Sequence, residues 1–314
     1  MILYPYDGTR FSEVRGVIAL FDANTNDLSR RHILKRGLAL AAGVAALGPH
    51  CVLGEAPEDY TRWAFLSDTH IPSDPDRRCW GNRPYENLRE IVSHIGSDLP
   101  DGLVVTGDLA RRNGRVEAYD NLKTLLTPVV HKRPVCLGIG NHDDRDDFFQ
   151  AFAGTALGGL PVANRHIVTV DAGPVRFVVL DTLYFVNMMP GLLGRSQRVW
   201  LEALLQACDD RATILCLHHT PKIDLLDGGP FFDIIGPMAK VKAVVYGHSH
   251  EYEISQYKGI HMINLPATGF NLSRRQPVGW VEAQLTAKGA QLTLHAIGGD
   301  RRLAEHTERL RWRV

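Results

Sequence analysis

The sequence predicts an α/β fold built on a mixed sheet or on two sheets, and three observations carry that expectation. From residue 61 onward, short apolar runs of strand character alternate with amphipathic runs of helical spacing. The late runs follow one another with no helix between them, which adds antiparallel strands to a parallel set. Five polar strings rich in Asp, His and Asn each begin where an apolar run ends, the position at which ligands collect in open α/β sheets.

Taken in order, residues 63–66 form a strand that stops before Asp68. Residues 84–95 read as a helix, with Leu88, Ile91, Val92 and Ile95 on one side. Residues 103–105 are a buried strand ending before Asp108, and 116–126 are helical again. A strand over 135–139 leads to Asn141, and a short helix over 145–152 follows. Strands 166–170 and 175–180 meet across Ala172-Gly173-Pro174. Ser196 reads as the N-cap of a helix through Trp200, Leu201, Leu204 and Leu205. Strands 214–217 and 241–246 stop at His218 and His248. Runs 253–257, 262–265, 281–285 and 291–296 read as short, mostly antiparallel strands, and 276–314 as terminal strands with a charged tail. Loops 71–83, 183–195 and 222–238 are left to set specificity, with Met188, Met189, Phe231 and Phe232 either walling a pocket, packing in the core or making a dimer contact.

The 314 residues permit one large domain or two small ones. Lys plus Arg number 35, as do Asp plus Glu, and a neutral chain argues against bulk nucleic-acid or anionic-membrane binding. None of the five cysteines forms a CxxC pair, so zinc-ribbon and thioredoxin-like motifs are unsupported. Cys136 and Cys216 fall in apolar runs and read as core.

Residues 1–56 read as a leader, with 57–314 as the functional domain. Ser29-Arg30-Arg31-His32-Ile33-Leu34-Lys35 precedes an uncharged Ala/Gly/Leu run over 37–48, the layout of an export signal. That run is shorter than the roughly 20 apolar residues a membrane-spanning helix needs. Cys51 lacks the residues that direct lipid attachment, so no stable membrane anchor is expected. The arginine pair, aliphatic pair and lysine resemble a bacterial twin-arginine signal over 29–48, which implies the twin-arginine export machinery as a partner and a periplasmic or extracellular location.

The five strings are Asp68-Thr69-His70, Gly107-Asp108, Gly140-Asn141-His142-Asp143, His218-His219-Thr220-Pro221 and Gly247-His248-Ser249-His250. They supply seven candidate metal ligands: Asp68, His70, Asp108, Asn141, His218, His248 and His250. Carboxylate, amide oxygen and imidazole suit manganese, iron or zinc, and seven ligands exceed what one tetrahedral ion takes. Two ions sharing a bridging carboxylate fit that number. Two divalent ions bring about +4 and two aspartates with a hydroxide about −3, which leaves about +1 to attract a phosphate oxygen. Asp68 and His70, two residues apart, would point the same way on extended backbone, as would His248 and His250. Glycines before Asp108, Asn141 and His248 allow sharp turns and close approach. Any one string alone is weak, since an Asp at a strand end is more often a helix cap. All five in order, each behind an apolar run, carry the site. His219 reads as a supporting or loop residue, and His131, His166, His261 and His295 as solvated or structural. Arg145 is expected either to meet a substrate phosphate or to pair with nearby aspartates.

This ordered set resembles the calcineurin-like metallophosphoesterase superfamily, over roughly residues 61–270. Gly140-Asn141-His142-Asp143-Asp144-Arg145, Leu180-Asp181 with Gln197 and Trp200-Leu201, and His218-His219-Thr220-Pro221 are similar to class III cyclic-nucleotide phosphodiesterases and glycerophosphodiesterases. Those read His-His-Pro-Pro where this chain has Thr220. The resemblance implies a four-layer α/β/β/α sandwich with two mixed sheets. It also implies two divalent ions, one on Asp68, His70 and His250, the other on Asn141, His218 and His248, with Asp108 bridging. His142 matches the catalytic histidine that assists the leaving group or steadies developing charge. The implied reaction is hydrolysis of a small phosphoester by hydroxide held between the ions, favouring a phosphodiesterase over a phosphomonoesterase. A nuclease is disfavoured by neutral charge and by Ala110-Arg111, where nuclease relatives carry another acidic residue. A non-catalytic scaffold is disfavoured because no ligand is missing.

Overall fold

The expected strand–helix alternation resolves into two six-stranded mixed sheets. The computed structural model describes residues 59–153 and 160–314; the leader expected over 1–56 lies outside the described residues. The first sheet takes β1 (Tyr60–Leu66), β2 (Gly102–Val105), β3 (Val135–Leu137), β10 (Pro277–Thr286), β11 (Gly289–Gly299) and β12 (Thr307–Arg311), in the order β12-β11-β10-β1-β2-β3. β1, β2 and β3 are parallel, and β10, β11 and β12 extend that sheet as an antiparallel meander. The second sheet takes β4 (Val168–Ala172), β5 (Val175–Val179), β6 (Ala212–Cys216), β7 (Val241–Tyr246), β8 (Glu253–Tyr257) and β9 (Ile260–Asn264), in the order β4-β5-β6-β7-β9-β8. Its centre, β5-β6-β7-β9, is parallel.

Side-chain alternation stacks these sheets into four layers. Phe177 of β5 meets Trp63 of β1 with ring centroids 4.6 Å apart and Phe65 at 5.9 Å, so the sheets pack face to face. Burying a ring of this kind stabilises by roughly 1.5–3 kcal/mol. Phe177, Val179, Ile214, Cys216, Ala243 and Val245 join that inner core. Their neighbours Val178, Leu180, Leu215, Leu217, Val244 and Tyr246 form a separate core on the opposite face, as the period of two requires. α1 (Pro84–Ser97), α2 (Val116–Val130) and α3 (Arg145–Ala151) cover the first sheet, while α4 (Arg195–Ala207) and α5 (Gly228–Ile235) cover the second.

Three elements depart from the sequence expectation. α2 runs to Val130 instead of ending at 126. Pro128 removes a donor in its last turn, but Val129 and Val130 are buried and hold the helix. α4 begins at Arg195 behind Gly194, not at Ser196. A distant carboxylate sets that start: Asp227 accepts the N–H groups of Leu193 and Gly194 at 3.0 and 2.9 Å and pairs with Arg198. α5 falls within 222–238, a stretch read from the sequence as loop; it forms because Phe231, Phe232 and Ile235 bury against the second sheet. Phe231 and Phe232 are therefore core residues.

Residues 276–314 are strands almost to their end. Trp312 is buried and donates to the carbonyl of Thr286 at 3.0 Å. Arg313 then crosses to the second sheet, where its guanidinium donates to the carbonyls of Val241, Gly236, Ile235 and Met238. These include carbonyls at and just past the end of α5, where helical hydrogen bonding runs out. Arg313→Ala is expected to lower stability by about 1.5–3 kcal/mol, read as a shift in the urea midpoint at unchanged slope. No helix among the described residues is long and apolar enough to cross a membrane.

Candidate active site

Every candidate ligand lies just past the carboxyl end of a strand, and the two sheets share the task. β1 leads to Asp68 and His70, β2 to Asp108, and β3 to Asn141 and His142; β6 leads to His218, and β7 to His248 and His250. Asp68, His70 and His250 form one group with their ligand atoms all within 4.8 Å of one another, and Asp108, His218 and His248 form a second. Asp108 faces both. Its Oδ2 is 3.6 Å from Nε2 of His70, and its Oδ1 is 3.3 Å from Nε2 of His218.

The backbone reaches this arrangement differently from the extended reading. Asp68, His70, Asp108, His248 and His250 all sit at positive φ, between 46° and 72°, a region unfavourable for residues with a Cβ. Spacing by two therefore does not act through strand alternation. The kinks are held by hydrogen bonds between strand ends, from the N–H of Asp68 to Gly107 O at 3.0 Å and of His70 to Asp108 O at 2.9 Å. Gly107 makes the turn expected of it, at φ +146°, whereas Gly140 is needed for space. A Cβ on Gly140 would lie 2.2 Å from Oδ1 of Asp108.

The donor set fits divalent cations. Nε2 of His70 and Nε2 of His250 face each other at 3.0 Å. Nδ1 of His250 donates to the carbonyl of Phe270 at 2.6 Å, which leaves its Nε2 lone pair turned to Asp68 Oδ1, 3.4 Å away. In the second group Nδ1 of His248 lies 3.3 Å from Nε2 of His218. Asp68 Oδ1 and Asn141 Oδ1 are buried without a hydrogen-bond partner in the protein. Buried polar atoms are seldom left so, and converging lone pairs of nitrogen and oxygen are what such ions take.

Electrostatics agree. Burial opposes charge on Asp68 and Asp108, but neighbouring imidazoles outweigh it and hold both carboxyls well below their ordinary range. Burial drives His70 down to about 3 and lowers His248. For His218, burial is outweighed by Asp108 and Asp68, which lift it to about 9. In the absence of cations, protons on such imidazoles balance the carboxylates, and metal binding must displace them.

A second ring of residues fixes the ligands. Oδ2 of Asp68 accepts from Ser67 Oγ and from the N–H of His248, which leaves Oδ1 free to point inward. Asp143 is fully buried and accepts the N–H groups of Gly140, Leu109 and Ala110 at 2.8, 3.1 and 2.9 Å and the Tyr119 hydroxyl at 3.1 Å. It thereby pins the Asn141 loop to the Asp108 loop. Burial, then the charge of Asp108, raises its pKa. His219 hydrogen-bonds Thr182 at 2.7 Å and supports the centre from behind. Arg145 pairs in a bidentate manner with buried Asp181 at 2.7 and 2.9 Å, so of its two expected roles the structure has the ion pair. His166 is buried against the carbonyl of Leu137 and is structural. Ser67, Tyr119, Asn113 and Asn187 had no signal beyond ordinary loop or helix positions. Asp143 had one, its place in the glycine-led string.

The calcineurin-like phosphoesterase family profile matches residues 61–252, the span that carries all seven candidate ligands. The chain belongs to the calcineurin-like phosphoesterase family. It is a metal-dependent hydrolase of phosphoester bonds, and its donor set suits the two divalent ions used by this family. Similar proteins include the 3',5'-cyclic adenosine monophosphate phosphodiesterase CpdA of Pseudomonas aeruginosa, 25% identical over 65% of this chain and 74% of that protein. A cAMP/cGMP dual specificity phosphodiesterase of Mycobacterium tuberculosis is 28% identical over 72% of this chain and 73% of its own. Among solved structures, a dimetal phosphatase from Danio rerio aligns over 80% of this chain and 99% of its own, with TM-score 0.60 at 14% identity. That likeness shows the fold, two mixed sheets between helices.

Proposed function

We propose that this calcineurin-like phosphoesterase is a phosphodiesterase for small molecules. Asp68, His70 and His250 would hold one cation and Asn141, His218 and His248 the other, with Asp108 between them and His142 serving the leaving group. The observation that carries this reading is the pair of three-residue groups that meet at Asp108, whose Oδ2 faces His70 of one and whose Oδ1 faces His218 of the other. Relatives named as cyclic-nucleotide and glycerophosphodiester phosphodiesterases support the diester preference.

Two bound divalent cations would supply Lewis acidity to the phosphoryl oxygens and lower the pKa of water at the site. The protein's own groups do the rest. The N–H of His142 donates to Oδ1 of Asp108 at 2.9 Å, which fixes the His142 backbone beside the shared carboxylate. The His142 ring lies 5.3 Å from the His70 ring and is partly open to solvent. An imidazole there can give a proton to a departing oxygen and recover it from water.

Loaded with manganese, the protein is expected to hydrolyse bis(4-nitrophenyl) phosphate faster than 4-nitrophenyl phosphate. Dialysis against a chelator should remove more than about 90% of that activity, and manganese, iron or zinc should restore it. A faster monoester would reassign the chain as a phosphomonoesterase, and full activity after chelation would end the proposal.

We also propose that residues 1–56 direct twin-arginine export to the periplasm or beyond, leaving 57–314 as the mature domain. The support is the Arg30-Arg31 pair with the apolar run over 37–48. Export should cease with Arg30→Lys combined with Arg31→Lys, read as loss of the processed form outside the cytoplasm; unchanged processing would refute it.

A further inference from the structure

One exposed side chain meets the His142 ring. Nδ1 of His142 lies 2.7 Å from Oδ1 of Asn187, on the loop between β5 and α4. The amide is oriented from both ends, because its Nδ2 donates to Oδ1 of Asn113. Both asparagines adopt the left-handed conformation, at φ +59° and +60°, which asparagine tolerates better than most residues. The two loops are also tied to the catalytic string through backbone. The N–H of Asn187 donates to the carbonyl of Asn141 at 2.6 Å, and the N–H of Gly114 donates to the carbonyl of His142 at 2.9 Å. An amide oxygen only accepts hydrogen bonds. With Asn187 Oδ1 against it, Nδ1 of His142 carries the hydrogen, and Nε2 is the ring nitrogen left for substrate.

We propose that Asn187 is a positioning residue that fixes the ring orientation and the Nδ1–H tautomer of His142, so that Nε2 faces the leaving oxygen. The idea rests on the phosphodiester hydrolysis proposed above. In that step the P–O bond to the leaving group breaks as the Nε2–H bond of the imidazolium breaks and an O–H bond forms on the departing oxygen. Water adds to phosphorus, and the proton it releases balances the one that His142 recovers from solvent. The neutral ring left behind is the Nδ1–H form already bonded to Asn187, so no rearrangement precedes the next turnover. Without that acceptor the ring is free to rotate and to take the Nε2–H form that imidazole favours in water.

The test uses Asn187→Gly, which keeps the left-handed backbone and removes the acceptor, and Asn187→Asp, which keeps an acceptor. In 15N-resolved NMR of the neutral ring, the wild type and Asn187→Asp should show Nδ1–H, and Asn187→Gly mainly Nε2–H. With manganese bound, Asn187→Gly should lose about 10–100-fold in kcat on a dialkyl phosphodiester, whose alkoxide needs a proton. It should lose less than about threefold on bis(4-nitrophenyl) phosphate, whose leaving group does not. Asn187→Asp should recover most of the loss. An Nε2–H ring in the wild type, an unchanged tautomer in Asn187→Gly, or equal loss on both esters overturns the proposal. Should the wild type cleave neither ester, the phosphodiesterase reading fails while the NMR comparison still decides the role of Asn187.

Discussion

Asp108→Asn should lower kcat/KM on a phosphodiester by on the order of 10³-fold, the largest effect expected of any single change at the site. Asp108 turns one carboxylate oxygen toward each candidate ligand group, Oδ2 toward His70 and Oδ1 toward His218. Asparagine keeps the shape and keeps an oxygen for the His142 N–H, but it removes a negative charge. One unit charge about 4 Å from another is worth about 4 kcal/mol at an effective dielectric constant near 20, and a dication feels more. The variant also loses the carboxylate that faces His218, so some stability should go with the activity. Metal stoichiometry, kcat/KM and thermal midpoint measured together decide the matter. A variant that keeps two ions and a tenth of the activity would remove Asp108 from the shared position.

Asp143→Ala should cost stability instead, by about 4 kcal/mol or more. It strips a buried acceptor from three backbone N–H groups and a tyrosine hydroxyl at once. Asp143, Leu109 and Ala110 are fully buried, and Gly140 is buried beside them. Each unmet donor costs roughly 1–3 kcal/mol, and the losses are not fully additive. Against the 5–15 kcal/mol that usually separates folded from unfolded states, that is a large fraction. Urea denaturation of the metal-free variant measures it directly. A midpoint indistinguishable from the wild type would mean that the Asn141 and Asp108 loops hold together without this carboxylate.

The parts of the fold readable from sequence are those whose pattern is local. Leu103, Val104 and Val105 form an unbroken apolar run because parallel strands are buried on both faces. α5 hides behind Gly228-Gly229-Pro230, and only the second sheet beneath Phe231 and Ile235 makes it a helix. The start of α4 hides for a like reason, since Asp227 lies more than thirty residues downstream of Gly194. At the site, the identity of the candidate ligands is legible because strand ends are legible. Their left-handed backbone is not, because it arises from hydrogen bonds between strands far apart in sequence. Asn187 is invisible for the same reason: its partners are His142 and Asn113, and nothing in Phe185-Val186-Asn187-Met188 announces them.

The division of the candidate ligands between the two sheets has a consequence for assembly. Neither half can build the centre alone, for the half ending in β3 lacks imidazoles 218, 248 and 250, and the other lacks every carboxylate of the two groups. Turnover thus works as a seam gauge: a chain whose halves have each formed but not closed on one another is catalytically silent.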